Sequence, residues 1–239
     1  MPYSVSADEQ TLIGFWDQTF SSQVKDQSSI DPKAPDSDRN LAPSDQLFQA
    51  AASLGRKKKV LDYGCGRAWA ALIAARNGCM DVTAVDPAGG AIDAARSVIA
   101  LYGVEQQVNA FQISSDWLRT VQDCTYDGLI CSNVLDVIPP ERAQEIIRQS
   151  ARIVTEDADL FFGLNYYLSP ETAASKGMPL SEGNRLYLDG VLRLVSRTDA
   201  EWTSLFAPWF TVETLEYFAW PGEKEARRRL FHLRKKQPA

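Results

Sequence analysis

The amino-acid sequence predicts an α/β fold: a seven-stranded, mostly parallel, doubly wound sheet with helices on both faces, preceded by an N-terminal helical leader and carrying an inserted β-hairpin cap. Two observations carry that expectation. From Lys58 onward, short β-rich apolar runs alternate with amphipathic stretches, the pattern of a parallel sheet covered on both sides. Near its start an apolar run ends in glycines and feeds a stretch rich in Ala and Leu, the strand-turn-helix unit of such sheets. With 45% hydrophobic residues among 239, the chain has enough apolar surface for a large core.

Taken in order, Leu12, Ile13, Phe15, Trp16 and Phe20 give a leader helix an apolar side. Residues 21–45, crowded with Ser, Asp, Gln and Pro, read as a loop or mobile segment. Residues 46–54 form a second helix. Strands are expected at residues 59–63, 82–86, 108–113, 128–132, 160–165, 211–218 and 229–233. Between them, residues 67–77 form a helix ended by Gly78. Residues 91–102 place Ile92, Ala95, Val98, Ile99 and Tyr102 on one face before Gly103. Pro139 and Pro140 open a third helix carrying Ala143, Ile146, Ile147, Ser150 and Ile153. About thirty residues separate the fifth strand from a helix near residues 198–206, longer than an ordinary connection. Within them, residues 185–188 and 191–195 flank Asp189-Gly190, a two-residue hairpin signal.

Composition excludes some classes of function. Lys and Arg total 25 against 31 Asp and Glu, so a net charge of −6 gives no general attraction to nucleic acid or anionic lipid. The basic runs Lys57 to Lys59 and Arg227 to Arg229 abut strands and read as solvated edges. Cys65, Cys79, Cys124 and Cys131 lack CxxC spacing, which suits buried free thiols in a reducing compartment and no metal site. There is no basic start followed by an apolar run, and no apolar stretch near the ~20 residues that span a bilayer. A cytoplasmic protein away from membranes is expected.

The most informative segment is Val60-Leu61-Asp62-Tyr63-Gly64-Cys65-Gly66-Arg67-Ala68. Glycines in its turn let a ligand approach bare backbone, and the following helix N-terminus presents free amide donors. Asp86 ends the next strand roughly 20 residues after Gly64, the offset of a carboxylate that holds ribose hydroxyls. An adenosine-containing cofactor is implied. A nicotinamide dinucleotide normally wants G-x-G-x-x-G, and Trp69 occupies the third glycine's place; a nicotinamide-dependent oxidoreductase therefore stays only as an alternative.

On these residues the chain resembles the class I, Rossmann-like S-adenosylmethionine-dependent methyltransferases, whose first motif reads approximately V-L-D-x-G-C-G-x-G; Ala68 departs from its last glycine. The resemblance implies S-adenosylmethionine as cofactor and S-adenosylhomocysteine as product. It places Asp62, Gly64 and Gly66, with Cys65 between them, around the methionine end, gives Asp86 both ribose hydroxyls, and puts Pro87 beside the adenine. Ser115-Asp116-Trp117 follows the third strand, where the family often has an acid for the adenine amino group and an apolar neighbour for its ring; Asp116 and Trp117 take those roles. Residues 126–137 resemble F-D-x-V-x-x-x-x-V-L-E-H-V, with Val137 at the position of the histidine, and Asn133 in this segment joins the cofactor-binding set. The resemblance spans roughly residues 46–233, so residues 1–45 are expected as a leader and possible lid, and residues 46–239 as the methyltransferase domain with its cap at about 166–196.

Methyl transfer from a sulfonium asks mainly for in-line positioning and exclusion of water, so no catalytic base is assigned. His232, the only histidine, lies in the last strand and reads as structural. Asn165, Tyr166 and Tyr167 at the end of the fifth strand could orient a substrate, with Phe15 and Trp16 covering it. No N-P-P-Y or D-P-P-Y follows the fourth strand, which, with the acidic balance, favours a small-molecule acceptor over nucleic acid. A cofactor-binding, non-catalytic interaction subunit is the remaining alternative.

Overall fold

The computed structural model describes residues 5–23, 31–34 and 36–237. Helix α1 (Ala7–Gln23) precedes α2 (Asp45–Ser53), after which β1 (Val60–Tyr63), α3 (Trp69–Arg76), β2 (Val82–Asp86), α4 (Gly89–Tyr102), β3 (Val108–Gln112), β4 (Tyr126–Ser132), α5 (Pro140–Ile153) and β5 (Val154–Leu164) alternate. Then come α6 (Pro170–Ser175), β6 (Arg185–Leu188), β7 (Val191–Val195), α7 (Asp199–Phe206), β8 (Phe210–Phe218) and β9 (Arg228–Lys235). Seven strands form one sheet in the order β3-β2-β1-β4-β5-β9-β8, and β6 pairs with β7 in a separate hairpin. Strands β1 to β5 are mutually parallel, whereas β9 runs antiparallel to β5 and β8. The chain winds outward from β1 to β3 and restarts at β4 on the other side of β1. The order thus reverses between β1 and β4, opening a crevice at their carboxyl ends.

Strand alternation builds a core on each face, because successive side chains point to opposite sides. Leu61, Leu129, Phe162 and Phe231 share one core with Ile146 and Ile147 of α5 and with Trp202 and Phe206 of α7. Their neighbours Val60, Ile130, Phe161 and Leu230 face the other, packed by Leu47 of α2, Ile73 of α3 and Ile99 of α4. Helix ends follow local chemistry: Ser44 caps α2, Pro140 begins α5, Gly103 ends α4 at φ +66°, and Thr198 and Glu201 form a capping box on α7. Asp189 and Gly190 have φ +52° and +75°, the two left-handed residues that a tight hairpin turn needs.

Several expectations are corrected. Helix α1 runs on to Gln23 and a short 3-10 turn occupies Arg39–Leu41, so residues 21–45 are not wholly irregular; residues 24–30 and 35 lie outside the described ones. β5 begins at Val154, directly after α5, and α6 appears within the inserted stretch. Cys124 is exposed, while Cys65, Cys79 and Cys131 are buried thiols. Arg228 and Arg229 are not a solvated edge. Arg228 pairs with Glu223 and Arg229 with Asp199, and the Arg229 guanidinium donates to the Asn165 carbonyl, so both charges are matched inside the fold. Among the described residues no helix is long and apolar enough to cross a membrane.

Candidate active site

A cavity of about 440 Å³ sits over the carboxyl ends of β1, β2 and β4, within the size range of small-ligand sites. Its floor is the turn after β1. Gly64 has φ +70°, and a Cβ there would meet Val134 Cγ2 at 2.3 Å; Gly66 has φ +51°. Both conformation and space therefore require glycine at the first position. Ala68 takes φ +58° and ψ 31°, a left-handed geometry that a glycine would adopt without strain.

Behind this turn, Asp62 is buried and accepts from the Ala71 amide of α3 at 3.0 Å, tying the end of β1 to the helix. Burial raises its pKa to about 7, opposed by that amide, and the charge of Asp86 adds to the rise. Asp62 does not itself line the cavity. Asp86 does, with its two carboxylate oxygens accepting from the Gly66 amide at 3.0 Å and the Ala88 amide at 2.9 Å. Burial pushes its pKa up to about 6 against these two bonds. Burial also drives the Cys65 thiol well above its ordinary pKa, helped by the charges of Asp62 and Asp86, so it serves as wall and not as nucleophile.

Asn133 adopts φ +58° at the end of β4, with its amide donating to the Gly163 carbonyl at 2.8 Å and its Nδ2 to Asn165 Oδ1 at 3.1 Å. Asn165 is held from several sides: Arg228 donates to its Oδ1, Arg229 to its carbonyl, and its own amide donates to Asp136 at 2.5 Å. Asp136 is fully buried, and burial raises its pKa.

The roof is α1. Leu12, Ile13, Trp16 and Phe20 face the cavity, with Phe20 only 3.1 Å from where a Gly66 Cβ would stand. Asp17 Oδ1 accepts from the Gly90 amide at 2.7 Å, fastening α1 to the start of α4. Glu9, also on the wall, accepts from Ser115 Oγ at 2.6 Å and lies 3.5 Å from Arg142, whose Nη2 donates to Tyr63 Oη. Burial holds that tyrosine's pKa up to about 12, with Arg142 opposing. The hairpin reaches α1 through Tyr187, which donates to Asp8 at 2.7 Å, and Arg193, whose guanidinium lies 4.0 Å from the Phe15 ring centre.

Of the residues singled out in the sequence, the cavity wall collects Gly64, Cys65, Gly66, Asp86, Pro87, Asn133, Trp16 and Asn165. Others lie elsewhere. Asp116 is exposed and accepts from Ser114 Oγ at 2.6 Å, while Trp117 packs edge-on against Phe111, so Ser114 and Ser115 take the wall positions instead. Phe15 packs against the core behind the wall, and Tyr166 and Tyr167 line a separate shallow hollow with Arg227 and Tyr217. His232 pairs with Asp159 and stacks on Phe161, remote from the cavity wall. The wall also includes Glu9, Arg67, Trp69, Arg142, Arg193 and Trp220, which sequence reading did not select. For Glu9 a signal existed: it stands in the same helical stripe as Leu12, Ile13, Trp16 and Phe20.

These groups fit S-adenosylmethionine. The bare Gly64 to Gly66 backbone and the Arg67 guanidinium, which has no acidic partner among the described residues, suit the amino acid end. Asp86 keeps two further lone-pair sites for ribose hydroxyls beyond its two amide bonds.

Residues 60–157 match the family model described as a methyltransferase domain. Among curated proteins none matches. In fold the chain is similar to 1,6-didemethyltoxoflavin-N1-methyltransferase of Burkholderia thailandensis, solved with 1,6-didemethyltoxoflavin and S-adenosylhomocysteine, at TM-score 0.68 and 16% identity, over 100% of this chain and 94% of that one. A Pyrococcus horikoshii OT3 protein aligns at TM-score 0.64 and 16% identity over 86% and 94%. The N-methyltransferase NodS of Bradyrhizobium japonicum WM9, solved with S-adenosylhomocysteine, aligns at TM-score 0.62 and 14% identity over 93% and 99%. Residues 60–157 thus match a methyltransferase domain, set in a Rossmann-like fold that the whole chain shares with these structures.

Proposed function

We propose that the chain is a class I S-adenosylmethionine-dependent methyltransferase whose acceptor is a small molecule bound beneath α1 and the β6–β7 hairpin. One observation carries the reading: the cavity that holds the cofactor-type turn continues under a roof of Trp16 and Phe20 and is walled by Trp69, Trp220 and Arg193. An aromatic space of about 440 Å³ covered on one side by a helix suits a compact acceptor better than a polymer. The structural relative solved with 1,6-didemethyltoxoflavin is consistent with a small acceptor, and the net charge of −6 with a partner other than nucleic acid. Three buried free thiols support a reducing, cytoplasmic setting.

When bound, the cofactor supplies an electrophilic methyl group on a sulfonium that leaves as a neutral thioether. The chain's own task would be to hold an acceptor lone pair in line with that methyl group and to keep water out. Asp86 and the Gly64 turn orient the donor, Asn133 and Asn165 border the acceptor's side, and Trp16 and Phe20 exclude water. Both carboxylates of the wall are engaged, Glu9 by Ser115 and Asp86 by two amides, so the chain's contribution is positioning more than deprotonation. Methyl-labelled cofactor incubated with the enzyme and a size-fractionated cell extract tests this. Label is expected in the small-molecule fraction; label confined to protein or nucleic acid would overturn the reading.

A further inference from the structure

We infer that the acceptor is a flat organic anion whose negative charge is met by Arg193, an inference that rests on the methyl-transfer reading above. The charged side chains on the cavity wall are Glu9, Asp86, Arg67, Arg142 and Arg193. Arg142 is matched by Glu9 at 3.5 Å, Asp86 faces the ribose position, and Arg67 stands on the turn that receives the cofactor's carboxylate. Arg193 is left over. Among the described residues no carboxylate lies within ion-pair distance of it, and its one close partner is the Phe15 ring.

Arg193 is partly buried on β7, and the ring of Phe15 lies under its guanidinium at 4.0 Å. A partly buried guanidinium on the wall of a ligand cavity, held by an aromatic ring and without an acid of the chain beside it, is placed to meet an anionic group of the ligand. The cofactor cannot supply it, because its sulfonium and ammonium outweigh its single carboxylate and add further positive charge to the same cavity. The rest of the acceptor space is walled by Trp16, Phe20, Trp69 and Trp220, and Arg228 covers Trp220 with its guanidinium 3.4 Å from the ring centre, fixing that platform. Aromatic faces with one cation at the hairpin side recognise a planar conjugated skeleton bearing a carboxylate.

The test uses full-length protein saturated with S-adenosylhomocysteine and three probes of one skeleton: cinnamate, cinnamamide and cinnamylamine. Cinnamate is expected to bind at least about tenfold more tightly than the neutral and cationic probes. Arg193→Gln should bring cinnamate to parity with the amide while leaving affinity for S-adenosylhomocysteine within about twofold, and Arg193→Lys should keep much of the preference. Equal affinities, absence of binding by all three, a preference that survives Arg193→Gln, or loss of S-adenosylhomocysteine affinity in that variant would each overturn the inference. Failure of the wild-type protein to bind S-adenosylhomocysteine at all would instead overturn the cofactor reading, and this inference with it.

Discussion

At Asp86 burial and function pull in opposite directions. Its pKa rises from 3.8 to about 6, so between those values the folded protein keeps a proton that the unfolded chain has released. The stability this group contributes is full below about pH 4 and falls as pH rises through about 6; Asp62, raised to about 7, extends the same trend upward. Ligand-free protein should therefore lose part of its unfolding free energy between about pH 4 and 7 from these two groups, and Asp86→Asn with Asp62→Asn should flatten that slope in denaturant titrations. Cofactor affinity should run the other way, since ribose hydroxyls donate to the ionised form; binding of S-adenosylhomocysteine is expected to weaken as pH drops below about 6. A pH-independent affinity would contradict this role for Asp86. That Gly64, Gly66 and Asp86 meet at one cavity was legible in the sequence, because backbone geometry and strand-end position leave a spacing pattern. That Asp116 and Trp117 lie off its wall was not. Their directions are set by Ser114 and Phe111, contacts that no spacing encodes. Nor does alternation reveal that Arg228 and Arg229 both reach inward, because long guanidinium side chains find carbonyls and acids from either side of a strand.

Among elements, α1 decides whether the cavity is closed. Its stripe of Leu12, Ile13, Trp16 and Phe20 was visible as a periodic pattern, but where it docks was not, because the contact is made by Gly90 at the start of α4. An alanine Cβ at Gly90 would meet the Asp17 carbonyl at 2.5 Å and the Ser21 amide at 3.0 Å. Gly90→Ala should lift α1 even though alanine is the better helix former by about 1 kcal/mol. Faster proteolytic cleavage within α1 and methyl transfer lowered by about tenfold or more are expected; unchanged protection and rate would mean that α1 is held by other contacts. Trp16→Ala should reduce transfer more than affinity for S-adenosylhomocysteine, a split visible by comparing single-turnover rates with calorimetry. The hairpin was legible from Asp189-Gly190 between the runs 185–188 and 191–195, whereas α6, only six residues long, offered too little periodicity to be recognised.

For the whole molecule, the seven-stranded sheet was readable because its central strands carry apolar runs into two cores and helices such as α4 close at a glycine. The antiparallel return of β9 between β5 and β8 was not readable, since pairing direction depends on where the chain comes back to the sheet. The cofactor site spans the ends of three strands and the roof helix, so ligand binding should stabilise the protein as one unit. At about a hundredfold excess over its dissociation constant, S-adenosylhomocysteine should add roughly 2.7 kcal/mol, raising the melting temperature by several degrees. The most direct measurement is calorimetric titration of S-adenosylhomocysteine into wild-type protein and Asp86→Ala, each first shown to unfold cooperatively. One site per chain is predicted for the wild type, with affinity reduced roughly ten- to more than a hundredfold in the variant, the cost of about 1.5 to 3 kcal/mol for losing a charged hydrogen-bond acceptor. No binding by the wild type, or equal affinity in both proteins, would contradict it.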